Sequence, residues 1–219
     1  MSRKGFTLAE ILITLTVIGV VAALTIPTLL QNTQDAELKI ALKKSYGDLQ
    51  QAYIALSAEN SGIETIFSGD GSASADANAM NAFLTKFNYI KNCGTGMGCW
   101  YTTFKFLDGS IITLNIDALL HDNYGKAILS NGSTVLMNDL SGTCSSTKGE
   151  GPLNGQVCAE FYIDVNGFKP PNARGKDYFG FYITKTGIYP VGSFNDGFSC
   201  GPGGNYYSDD GCTYKYLSE

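Results

Sequence analysis

The sequence predicts an α+β protein in which one long N-terminal α-helix, half transmembrane and half amphipathic, packs against an antiparallel β-sheet head. Three observations carry this expectation. No charge occurs from Ile11 to Gln34, and 14 of the 20 residues between 11 and 30 are apolar. From Asp35 to Glu59 apolar residues recur every three or four positions, the spacing of a helix with one buried stripe. Beyond residue 61 the period drops toward two, and 23 of the 26 glycines lie there, as short strands joined by tight turns require.

The first element follows from length. A run of about 20 apolar residues at about 1.5 Å rise spans a hydrocarbon core of about 30 Å. Arg3 and Lys4 precede it and hold the N-terminus in the cytoplasm, so the rest of the chain lies on the far side of that membrane. Leu38, Leu42, Tyr46, Leu49, Tyr53 and Leu56 form the stripe of the second half. The two halves join without a linker into a rod of about 50 residues, on the order of 80 Å long. Pro27 lacks a backbone donor and costs about 3 kcal/mol inside a helix, so a kink or unwound stretch is expected there. Gly47 is expected to mark a close approach between helix and head.

In the head, Ala75–Asn88 reads as a short helix. Trp100–Leu107 and Ser110–Ile116 read as strands joined at Asp108-Gly109, a strong hairpin signal. Lys126–Leu129 and Thr134–Asn138 pair through Asn131-Gly132, and Cys158–Val165 and Tyr178–Thr184 complete the strands. With no long helix between them, an antiparallel sheet on the helix stripe is the economical arrangement.

Composition excludes several functions. The 219 residues carry a formal charge of −5, which does not promise the basic face of a dedicated nucleic-acid binder. No phosphate-cradling GxxxxGK[ST] and no histidine-containing triad pattern occurs. The expectation is therefore not an enzyme. The one histidine, His121, has no nucleophile or base at motif spacing.

Six cysteines, all in the C-terminal part, fit an oxidising compartment. Six permit many pairings, but the local spacing and the Gly-rich stretches between them favour Cys93 with Cys99, Cys144 with Cys158 and Cys200 with Cys212. Zinc is the competing use, and it is disfavoured because no CxxC pair is present.

The most specific signal is at the start. Met1-Ser-Arg-Lys-Gly5, then Phe6-Thr-Leu-Ala-Glu10, then the apolar run with Gly19 and Pro27, resembles the class III leader of type IV prepilins and type II secretion pseudopilins. The resemblance is confined to about the first 30 residues. It implies cleavage between Gly5 and Phe6 by a prepilin peptidase and N-methylation of the new Phe6 amine. It also implies assembly of homologous pilin or pseudopilin subunits into a helical filament, driven by an ATPase and a platform protein of the inner membrane.

Glu10 fits that picture physically. A carboxylate at the edge of a membrane segment costs up to about 3 kcal/mol unless it is paired. The resemblance supplies the Phe6 amine of a neighbouring subunit as its partner, fixing axial register. Otherwise Glu10 simply sits among headgroups. The domain division that follows is 1–5 leader, 6–31 transmembrane and filament-core helix, 32–60 amphipathic helix, and 61–219 disulfide-stapled head. Two other readings of the N-terminus are a secretory signal cut after Val21-Ala22-Ala23 and an uncleaved anchor. A tethered extracytoplasmic binding or adhesion module that does not polymerise is the alternative function.

Two head segments remain. Asp164, Asn166, Asn172 and Asp177 place four oxygen ligands in one loop, and some major pseudopilins bind calcium in a loop near the end of the sheet. An EF-hand pattern ending in Glu is absent, and an Asn-Gly turn after a strand explains the same residues. Tyr206, Tyr207, Tyr214 and Tyr216 either form an adhesive surface or cover the sheet edge.

Overall fold

The computed structural model describes residues 5, 7–112, 116–119, 123–149, 151–194, 196–203 and 209–219. Phe6, His121, Tyr206 and Tyr207 lie outside the described residues. The chain divides into two compact units, residues 1–37 and 38–219.

Helix α1 runs from Leu8 to Glu59, 52 residues. It passes through Pro27 without a break in the helix, so the expected unwound stretch does not occur. In the first unit, Leu8, Ile13, Ile18, Leu24 and Leu29 are among the apolar side chains left exposed. This segment is long and apolar enough to cross a membrane. Its threonines turn their hydroxyls inward: Thr14 donates to the Glu10 carbonyl at 3.0 Å, Thr16 to Leu12 at 2.8 Å, Thr25 to Val21 at 2.9 Å and Thr33 to Leu29 at 2.9 Å. Back-bonding of this kind satisfies a polar group within its own helix.

The second unit is built on a six-stranded antiparallel sheet in the order β1-β4-β5-β6-β7-β8. The strands are β1 (Tyr89–Gly94), β4 (Gly125–Leu129), β5 (Thr134–Asp139), β6 (Val157–Asp164), β7 (Tyr178–Thr184) and β8 (Ile188–Pro190). Leu38, Leu42, Leu49, Ala52 and Leu56 of α1 enter one core with Val135, Met137, Phe161, Ile163, Phe179, Phe181 and Ile183. The odd-numbered residues of β5, β6 and β7 face the helix because strand side chains alternate. Tyr46 stacks on Phe181 with ring centroids 5.5 Å apart and donates to the Ile188 carbonyl at 3.2 Å, while Tyr53 donates to the Lys185 carbonyl at 2.8 Å.

The opposite face of the sheet is also covered. Trp100, Tyr101, Phe104, Phe106 and Ile116 pack on Leu136 and Tyr178, and Leu153 and Val191 pack on Tyr182. Every residue of β7 is consequently buried. The covering segment corrects two expectations. Among the described residues the hairpin at Asp108-Gly109 has β2 (Phe104–Lys105) and β3 (Ile111–Ile112) as strand, the expected positions 113–115 lie outside them, and Ile116 starts the four-residue helix α3 (Ile116–Leu119) instead of ending a strand. Trp100 and Tyr101 are lid residues over the sheet.

Both turn signals form as three-residue turns: the Phe106 N–H donates to the Ser110 carbonyl at 2.9 Å and the Leu129 N–H to the Ser133 carbonyl at 2.9 Å, while Gly109 and Gly132 donate back to Phe106 and Leu129. Gly109 and Gly132 adopt φ of 86° and 91°, a region in which a Cβ is unfavourable. Asp108 and Asn131 side chains accept the N–H of Ser110 at 2.8 Å and of Ser133 at 3.0 Å. Helix α2 spans Ala73–Leu84, capped by the Ser72 hydroxyl, which accepts from the Ala75 N–H at 3.1 Å. It starts two residues earlier and ends four earlier than expected. Gly47 is also corrected, since a Cβ there would meet nothing within 4 Å. The C-terminal helix α4 (Cys212–Ser218) was not expected from sequence.

Candidate functional site

The start of α1 is a reciprocal cap. The Thr7 hydroxyl accepts the Glu10 N–H at 3.2 Å, and Glu10 Oε2 accepts both the Thr7 N–H and the Thr7 hydroxyl at 2.8 Å. This is a capping box, in which two donors orphaned at a helix start satisfy each other's partners. The Thr-x-x-Glu spacing ahead of an apolar run carried that signal, and reading Thr7 only as part of the leader missed it. Gly5 is exposed immediately before. Among the described residues the cap uses Glu10 Oε2 alone, and Oε1 takes no hydrogen bond.

The six cysteines form three disulfides, Cys93–Cys99, Cys144–Cys158 and Cys200–Cys212. The last draws the C-terminal segment onto the sheet beside a buried ion pair. Arg174 Nε and Nη2 donate to the two oxygens of Asp210, each at 2.7 Å, and the guanidinium lies 4.5 Å from the Tyr178 ring centroid. Burial pushes Asp210 up and the Arg174 charge opposes it. Tyr216 packs edge-on against Phe179 and Lys39 lies over its ring at 4.4 Å, while Tyr214 is 46% exposed. These two tyrosines therefore divide between covering the core and facing outward.

The loop from Asp164 to Asp177 brings its two carboxylates to adjoining strand ends. Asp177 is occupied by the backbone, accepting the Asn172 N–H at 2.8 Å and the Ala173 N–H at 2.6 Å. Asn166 donates to the Pro170 carbonyl at 3.2 Å, and the Asn172 amide, oriented by its neighbours, donates to the Lys169 and Gly167 carbonyls. Asp164 Oδ1 accepts the Asn166 N–H at 3.1 Å, while Asp164 Oδ2 and Asn166 Oδ1 are buried without a hydrogen bond. Burial and then the charge of Asp177 push Asp164 well above the usual carboxylate range. A hard cation wants six to eight oxygens. Three of the six side-chain oxygens on these four residues already accept backbone N–H groups of the turn, in which Gly167 holds φ of 66°.

Residues 1–26 match the family model for the prokaryotic N-terminal methylation motif. The chain thus carries the class III prepilin leader found in type IV pilins and pseudopilins. The motif supports a pilin-like or pseudopilin precursor, and together with the one long apolar helix among the described residues it fits a membrane-anchored subunit. No curated protein and no solved structure gives a significant match to the chain.

Proposed function

We propose that this chain is a structural subunit of a type IV pilus or type II secretion pseudopilus. The prepilin peptidase cuts between Gly5 and Phe6 on the cytoplasmic side and the Phe6 amine is methylated, keeping its positive charge. The subunit then leaves the inner membrane and joins a helical filament of pilin-like subunits. An ATPase and a platform protein encoded elsewhere drive this step. In the filament the apolar halves of α1 bury one another, and Glu10 pairs with the Phe6 amine of a neighbour.

The observation that carries this reading is the methylation motif at the head of an uninterrupted helix whose first 30 residues hold exposed apolar side chains. N-terminal sequencing after co-expression with a prepilin peptidase tests it. The expected start is N-methylated Phe6. A start at Leu24 would indicate an ordinary signal peptide, and an intact Met1 an uncleaved anchor; either outcome sinks the proposal.

A further inference from the structure

On the other side of the head, α2 meets the turn before it and the end of β5 around a cavity of about 430 Å³, lined by Gly69, Gly71, Asp76, Tyr124, Asn138 and Asp139 among others. Asp76 is only 4% exposed. Its Oδ1 accepts the Asp139 N–H at 2.6 Å, whereas its Oδ2, open to the cavity, takes no hydrogen bond among the described residues. Both Asp139 oxygens are occupied, Oδ2 by the Ser68 N–H at 2.7 Å and Oδ1 by the Gly69 N–H at 3.0 Å. Asn138 donates its amide N–H to Glu160 at 3.1 Å, so its amide oxygen is the atom it has to offer.

A buried carboxylate with an idle oxygen on a cavity wall calls for a positive group, and the described wall supplies none. The charged groups around Asp76 are Asp139 on β5 and Asp70 in the turn, both of like sign. Burial, and after it these two charges, push Asp76 up to about 7. One free carboxylate oxygen beside an amide oxygen cannot build the six-oxygen shell of calcium or magnesium. It does match an ammonium, which carries three donors and needs no fixed coordination geometry.

We propose that this cavity binds a protonated primary amine, with Asp76 Oδ2 as the counter-ion. The ammonium belongs either to a lysine side chain of another chain or to a small free amine. Because the carboxylate must be ionised to hold it, binding strengthens as pH rises through neutrality.

The test uses the full chain in detergent, followed by thermal unfolding. At pH 8, n-butylammonium and the peptide N-acetyl-Gly-Lys-Gly-amide are added separately, with n-butanol as the uncharged control. At roughly tenfold over its Kd a ligand should raise Tm by about 3 °C. n-Butanol should not, and the effect should vanish in Asp76→Asn and at pH 5. A response to the small amine alone identifies a free amine as the source, and a response to the peptide identifies a lysine side chain. No rise with either at pH 8, an undiminished rise in Asp76→Asn, or an equal rise with calcium at matched ionic strength would overturn the proposal.

Discussion

Thr7 and Glu10 satisfy each other's backbone N–H groups at the start of α1, with contacts of 2.8 and 3.2 Å. Glu10 therefore has two separable duties, a local cap in the subunit and the proposed charge pairing between subunits. Glutamine serves at this position of a capping box, but alanine does not. Glu10→Gln should keep the helix start and membrane insertion yet yield no sheared filament. Glu10→Ala should lose both the filament and about 1 kcal/mol of local helix stability. Filament recovery from Glu10→Gln at the wild-type level, measured against the membrane fraction, would remove the charge from the assembly mechanism.

The pH dependence of the head follows from Asp76. Its folded pKa, about 7, lies above the ordinary 3.8, so the folded state holds a proton that the unfolded state releases. That contribution is complete below about pH 3.8 and is lost as pH rises toward 7. Without an amine present, Asp76→Asn keeps the acceptor for the Asp139 N–H and removes the charge. It should melt higher than wild type at pH 8 and differ little at pH 4, as thermal scans of the full chain would show.

Removing one half of the Arg174–Asp210 pair strands a buried charge under the Tyr178 ring. Asp210→Ala should cost about 3–5 kcal/mol, and Arg174→Met combined with Asp210→Leu should recover most of it. Trp100, the only tryptophan, sits 5.5 Å from Tyr178, so its fluorescence in urea reports the loss directly.

Reducing or replacing the Cys200–Cys212 bond opens a loop of 12 residues. The expected cost is about 2–4 kcal/mol. The first visible effect should be proteolytic cutting between Val191 and Glu219, because Asp209 and Asp210, which accept from Leu107 and Arg174, lose their anchor.

Calcium offers a fourth measurement on the head. With Asp177 and Asn172 engaged in the turn, adding calcium or a chelator should leave Tm unchanged. A calcium-dependent rise abolished by Asp164→Ala would show instead that Asp164 Oδ2 and Asn166 Oδ1 hold a metal.

The elements legible in the sequence are those whose own pattern decides them. The stripe from Leu38 to Leu56 has helical spacing, and the Asp108-Gly109 and Asn131-Gly132 turns need only local chemistry. Strand β7 matches its expected span residue for residue. What escaped depends on partners distant in the chain. Strand β1, Tyr-Ile-Lys-Asn-Cys-Gly, is an exposed edge strand with two irregularities in its pairing to β4, so no alternation marks it. Strand β8 has three residues, too few for any period. Trp100 and Tyr101 look like strand by propensity, but they are buried by capping the sheet's outer face. The cap at Thr7 and Glu10 was written locally, whereas the Asp76 cavity depends on residues 63 apart in sequence.

The three disulfides each close a short local loop, with separations of 6, 14 and 12 residues, and none reaches α1. Apart from the backbone that leaves α1 at Glu59, tension along a filament would therefore reach the head through contacts that can let go and re-form: the leucine stripe, the Tyr46–Phe181 stack, and the Tyr46 and Tyr53 hydrogen bonds to the β7–β8 corner. Such a subunit yields first at the seam between helix and sheet while its stapled loops hold their shape. The seam, rather than the sheet, sets the force at which it gives way.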